Sequence, residues 1–117
     1  MKRGEVWTVA GGPDYAGKPR PVVILQDDAF DATHSIAICP FTTSSADAPL
    51  MRLRIDEPSD QNGLRASSQL MVDKITTVSE KKLETRIGRL SDVEMVRLNR
   101  AVIVFLGLAR VVAALSE

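Results

Sequence analysis

A chain of 117 residues has the size of one domain, and we expect a single unit over residues 1–117. Hydrophobic and charged shares of 44% and 26% exclude a disordered, fibrous or membrane-spanning class, and 15 basic against 15 acidic residues exclude bulk electrostatic binding of DNA. The single cysteine, Cys39, excludes an internal disulfide and a cysteine-cluster zinc site, and it fits a reducing cytoplasm.

The start, MKRGEVW, is basic but has no apolar run behind it, so it reads without a signal peptide. GEVWTVA alternates Val6, Thr8 and Ala10 against Glu5, Trp7 and Val9, which predicts a strand. GGPDYAGKPRP gathers glycine and proline in a loop of about ten residues, longer than a hairpin turn requires and therefore a candidate functional loop. VVILQ is a continuous apolar run and predicts a buried central strand. DDAFDATH is a polar connection, and SIAICPF is a second buried strand that places Cys39 among apolar neighbours as an inert thiol. TTSSADAP is a Ser/Thr-rich loop. LMRLRI alternates apolar residues with Arg52 and Arg54, so the two arginines share the outer face. DEPSDQNG is a turn cluster, SSQLMVDKITTV is one strand or two with a bend, SEKKL is a short helical turn, and RIGRL is a last short strand.

At SDVEM the period changes. Ser91 and Glu94 form a capping box, with Asp92 at the positive end of the dipole, and a helix is expected from about Ser91 through the late hundreds. Beyond Arg100 it turns apolar on nearly every side. One small sheet covers only one side of a helix, so the pattern predicts a partner chain, most simply a second copy in a two-fold dimer. The run AVIVFLGLARVVAAL is interrupted by Arg110 and falls short of the roughly 20 residues a membrane span needs. The architecture is mainly β: five to seven short antiparallel strands in a small barrel, followed by one substantial helix.

Familiar catalytic sets are mostly absent. There is one histidine, His34, at a strand entrance, and it reads as a partly exposed turn residue. No HExxH, Walker loop or GxSxG occurs. The adjacent acids Asp27–Asp28 and Asp56–Glu57 point apart in a turn or strand and read as solvated carboxylates, with no metal expected. What remains is Arg20, set between Pro19 and Pro21, with Thr42 and Thr43 ending the next buried strand. A guanidinium fork can hold two phosphate oxygens at once, and proline on both sides restricts the backbone that carries it. Sequence physics leaves two readings of Arg20 level: a strand-edge cap, or a phosphate clamp held in fixed geometry.

The ordered set KRGEVW, RPVVILQDDAF, ICPFTTSS, LMVDKITTV and RIGRLSDVEM, with a helix ending VFLGL, resembles the MazF/PemK family of toxin endoribonucleases over about residues 2 to 109. The resemblance implies an SH3-like antiparallel β-barrel with a C-terminal α-helix (CcdB/MazF-like), with the barrel over about 2–90, the helix over about 91–109 and a tail over 110–117. It implies a homodimer in the cytoplasm, held inactive by a cognate antitoxin, that cuts single-stranded RNA without a metal or other cofactor and does not act on DNA or membranes. The family's arginine falls on Arg20, its threonine on Thr42 with Thr43 and Ser44 beside it, and an aspartate used by some members on Asp73. The gating loop falls on Gly11 to Lys18, which makes Asp14, Tyr15 and Lys18 candidates for substrate binding, together with Lys74. The chain departs from the common Asp-Gln-x-Arg-Thr pattern at Lys74 and Thr76, and Met71 stands where some members carry arginine. These departures bear on base recognition more than on chemistry.

The implied reaction is attack of the 2′-hydroxyl on the adjacent phosphorus, leaving a 2′,3′-cyclic phosphate and a 5′-hydroxyl. Arg20 is expected to stabilise the phosphorane and to share in proton transfer, with Thr42 positioning the phosphate. Asp73 reads as general base, as an orienting group for Arg20, or as a strand-end carboxylate paired with Lys74 or Arg65. Lys18, Arg20, Arg52, Arg54 and Lys74 are candidates for a basic groove. Toxins of the same barrel poison DNA gyrase without cutting and use a C-terminal helix that finishes Trp-Gly-Ile; this chain finishes VVAALSE. A catalytically inactive partner-binding barrel is the other alternative.

Overall fold

The computed structural model describes residues 1–10, 19–30, 32–43, 52–55 and 57–110. These form seven strands and one α-helix: β1 (Glu5–Val9), β2 (Arg20–Ile24), β3 (Ser35–Thr42), β4 (Arg52–Ile55), β5 (Ser68–Met71), β6 (Thr76–Ser79), β7 (Leu83–Arg89) and α1 (Asp92–Phe105). All pairings are antiparallel, in the order β4-β5-β3-β2-β1-β7, with β6 beside β3. Among the described residues β4 and β7 do not pair, so the sheet is open and the word barrel fits it loosely.

β3 is the longest strand because two others share one of its edges. β6 pairs with Ser35–Ile38, and β5 pairs with Phe41 and Thr42. The single apolar stretch SSQLMVDKITTV supplies both partners by bending through a 3-10 turn at Val72–Lys74. A further 3-10 turn, Glu80–Lys82, takes SEKKL into β7, which starts at Leu83 and is longer than RIGRL alone suggests.

Strand alternation gives the sheet two apolar faces. On one, Val6, Val23, Cys39, Phe41 and Leu70 are almost fully buried, and α1 closes the face with Met95, Leu98, Ala101 and Val102. Those four helix residues recur at three- and four-residue spacing, one stripe of the helix. On the other face Val22, Ile24, Ile36, Ile38 and Leu83 cluster with Trp7, Val9 and Val78. We call these the helix face and the cavity face.

The helix starts as expected. Ser91 Oγ accepts from the Glu94 N–H at 3.1 Å, and Glu94 Oε1 accepts from the Ser91 N–H at 2.8 Å. It ends at Phe105, where Gly107 takes a left-handed φ of 73°, and helical backbone resumes at 108–110. Arg3, which the sequence did not single out, ties three elements together: its N–H donates to Asp28, its Nε to the Leu25 carbonyl and its Nη2 to Asn99. The turn over 57–63 lies directly on β7. A Cβ at Gly63 (φ 70°) would stand 2.0 Å from the Ile87 carbonyl oxygen, so the turn and strand meet there backbone to backbone.

Candidate nucleic-acid site

The register of β2 on β3 places Val22 opposite Pro40. Two residues further along the same register, Arg20 comes level with Thr42. The two residues singled out from sequence therefore end neighbouring strands on the same side, at the mouth of a cavity of about 460 Å³. Its floor is apolar, from Val22, Ile38, Pro40 and Val78. Its polar groups are Arg20, Thr42, Lys74 and Thr76. Arg20 is exposed at the first position of β2, and Lys74 is exposed at the end of the 3-10 turn. Two cations and two hydroxyls above an apolar floor suit a ligand with an anionic group and a flat apolar part, as a nucleotide has.

Asp73 takes a different position. Its carboxylate accepts two hydrogen bonds from Arg52, 2.9 Å from Nε to Oδ1 and 3.3 Å from Nη2 to Oδ2. Both side chains are largely buried, at 17% and 15% exposure. Asp73 is not among the residues lining the cavity. The pairing of this strand-end carboxylate is with Arg52, not with Lys74 or Arg65, and it turns Arg52 away from the solvent-facing role that alternation suggested. Arg54 is exposed, and its carbonyl accepts a hydrogen bond from Arg97 on α1.

Cys39 is fully buried, and burial pushes its thiol up to about 12, with the Asp73 charge adding and the Arg52 charge opposing. It has the character of a core residue. His34 is 97% exposed, with Nδ1 3.5 Å from Glu80 Oε1. Phe41 is core, as its strand position predicts; Trp7 is half-buried and donates its indole N–H to Glu5. Asp27 and Asp28 accept backbone hydrogen bonds from Ala29 and Arg3. Among the described residues no three His, Cys, Asp or Glu side chains gather in a way that would hold a metal ion. Thr43 is exposed just past the end of β3, while Asp14, Tyr15, Lys18 and Ser44 lie outside the described residues. Among the described residues no helix is long and apolar enough to cross a membrane.

Sequence reasoning passed over Met71 as a lining residue and Gln69 beside it. The signal was present in the strand period, since both alternate with buried Leu70 and therefore share the face of Thr42.

The arrangement is that of a small β-sheet protein with a C-terminal helix and a cationic cavity at the ends of two central strands. Residues 2–106 match the family described as PemK-like, MazF-like toxin of type II toxin-antitoxin system, and the chain belongs to that family. It is 55% identical over 109 residues to a probable endoribonuclease MazF of Mycolicibacterium smegmatis, covering 93% of this chain and 99% of that protein. Its fold is similar to a mycobacterial endoribonuclease solved in complex with its cognate antitoxin (TM-score 0.72, 24% identity, 92% of this chain and 96% of that one). It is also similar in fold to a MazE-MazF structure from Deinococcus radiodurans (TM-score 0.69, 16% identity, 92% and 95%).

Proposed function

We propose that the chain is the toxin of a type II toxin-antitoxin system, an endoribonuclease that cuts single-stranded RNA at particular sequences in the cytoplasm. One observation carries this reading: Arg20, Thr42 and Lys74 converge on one cavity of a chain that belongs to the PemK-like, MazF-like toxins. The substrate's own 2′-hydroxyl attacks the adjacent phosphorus. The new O2′–P bond forms as the P–O5′ bond breaks, a base takes the 2′ proton, and the 5′-oxygen leaves with a proton from an acid. The products are a 2′,3′-cyclic phosphate and a 5′-hydroxyl. DNA has no 2′-hydroxyl and is not cut.

Arg20 holds the non-bridging oxygens as the phosphorane forms, and a guanidinium does this with two parallel N–H bonds. Thr42 donates its hydroxyl to the same phosphate. Lys74 adds charge at the cavity. Asp14, Tyr15, Lys18, Thr43 and Ser44 are the further candidates for RNA contact. Asp73, held by Arg52 and away from the cavity lining, is better suited to positioning the 3-10 turn that carries Lys74 than to taking a proton directly.

The apolar end of α1 supports a homodimer. Val104 is 63% exposed and Leu106 56%, with Ile103, Phe105 and Leu108 beside them. A contiguous exposed apolar patch of this kind marks a protein contact. The cognate antitoxin is the second partner, and an acidic segment is the complement that a cationic cavity selects.

Cleavage of a long single-stranded RNA in excess EDTA, with wild type and Arg20→Ala side by side, tests the reading. Wild type should give 5′-hydroxyl and cyclic phosphate ends, and the variant should be slower by about 10²–10³. Intact RNA from a folded wild-type protein would overturn it, and trapped DNA breaks with gyrase would then identify a poison of the same fold.

A further inference from the structure

One polar side chain on the cavity face has no task in the reaction just described. Gln69 stands directly opposite Thr42 in the β3–β5 ladder and directly opposite Arg54 in the β4–β5 ladder. Directly paired residues project to the same face. Alternation along β5 places Gln69 with Met71, which lines the cavity, and against buried Ser68 and Leu70. A row therefore crosses the sheet from Arg20 through Thr42 and Gln69 to Arg54, each step about 5 Å from strand to strand.

The Gln69 side chain is half-buried, and its Oε1 is buried without a hydrogen-bond partner. Neither the Thr42 hydroxyl nor the Arg54 guanidinium, the donors on either side of it, serves that oxygen. Native structures seldom leave a buried carbonyl oxygen unserved without a reason. A side chain kept here for packing alone would be better as methionine or leucine, which carry no such oxygen. No hydrogen bond among the described residues anchors the carboxamide, so rotation of its side-chain torsions is opposed only by packing.

We propose that Gln69 is a specificity-determining residue, whose carboxamide reads an adenine flanking the cleaved bond. An amide presents a donor and an acceptor side by side, which matches the N7 acceptor and N6 donor of adenine. Single-stranded RNA leaves such base edges free of pairing. With the scissile phosphate on Arg20 and Thr42, Gln69 is the next polar group along the row toward Arg54, within one strand spacing. Turning the amide outward gives Oε1 the N–H partner it lacks and gives Nε2 an acceptor. The assignment rests on the ribonuclease reading above.

The test is cleavage of a random-sequence single-stranded RNA pool in EDTA by wild type, Gln69→Met and Gln69→Glu, with the ends mapped by sequencing and each melting temperature measured. Wild type is expected to prefer adenine at one position beside the cut. Gln69→Met should reduce that preference by roughly ten-fold or more while preferences at other positions hold. Gln69→Glu, which lacks the donor to N7, should lose it as well. Gln69→Met should melt no lower than wild type, because the buried oxygen is gone. A wild type that cuts with 5′-hydroxyl ends but shows no adjacent adenine overturns the assignment. So do variants with an unchanged sequence preference, or variants slowed equally at every sequence; in each of these cases the ribonuclease reading stands. RNA left intact by wild type removes both.

Discussion

The two faces of the sheet are made by the same strands and differ in what closes them. On the helix face, Val6, Val23, Cys39 and Leu70 are 0% exposed, and Leu98 of α1 completes the seal, also at 0%. On the cavity face the apolar cluster runs out at Arg20, Thr42 and Lys74. Within β3 the division falls between successive residues: Cys39 and Phe41 pack in one core, while Ile38, Pro40 and Thr42 floor or rim the cavity, which Phe41 also borders. The lesson is that parity along a strand separates stability from activity. A substitution one residue away changes which of the two is lost.

The largest effect is expected where that separation is sharpest. Leu98→Ala removes a fully buried side chain from the helix face and should cost about 2–5 kcal/mol of stability, read from denaturant unfolding. Cleavage per folded molecule should stay near wild type. Arg20→Ala should do the reverse, losing far more rate than stability, since Arg20 is exposed and exposed substitutions change stability much less than buried ones. If Leu98→Ala lost cleavage per folded molecule, the two faces would not be independent.

Asp73 belongs to neither face cleanly, and Asp73→Asn sharpens the boundary. A general base supplies about 10²–10⁴ in rate and leaves an acidic limb in the pH–rate profile. A positioning residue supplies less and leaves no limb of its own. With its carboxylate occupied by Arg52 and set off the cavity lining, Asp73→Asn should slow cleavage by about ten-fold or less, with the profile unmoved. A loss as large as that of Arg20→Ala, together with a vanished acidic limb, would return Asp73 to the reacting atoms.

Much of this was legible in the sequence, for identifiable reasons. The capping box at Ser91 and Glu94 is a local signal with a three-residue reach, and it marks the start of α1. The apolar runs VVILQ and SIAICPF read as buried strands because both of their faces are covered, one by the helix and one by the second cluster. Arg20 and Thr42 were legible as candidates through their neighbours: two prolines in one case, a strand end in the other. The partner of Asp73 was not, because Arg52 lies 21 residues away on β4 and nothing local distinguishes it from Lys74 next door. Nor was the open edge between β4 and β7, since strand count does not determine closure. The interruption of the C-terminal helix was not legible either: the apolar pattern continues past Phe105, while a left-handed glycine at 107 breaks the helix before helical backbone resumes at 108–110.

The smallest effect at neutral pH, and the cleanest probe of how closed the helix face is, lies in Cys39. Burial raises its thiol from 9.0 to about 12, and the charge of Asp73 adds to the rise while that of Arg52 opposes it. The folded state thus holds the proton more tightly than the unfolded chain does. Its contribution to stability is complete below about pH 9 and is lost progressively as pH climbs toward 12. Other groups titrate in that window, so the quantity to read is the difference between wild type and Cys39→Ala, whose stabilities should converge as the alkaline limb is climbed. The same closure makes the native thiol unreactive to alkylating reagents until the chain unfolds. Asp73→Asn should shorten the alkaline range over which the two converge, because it removes a charge that raises the thiol. An unchanged range would mean that burial alone sets it, and that the Asp73–Arg52 pair is electrically sealed off from the core on which it borders.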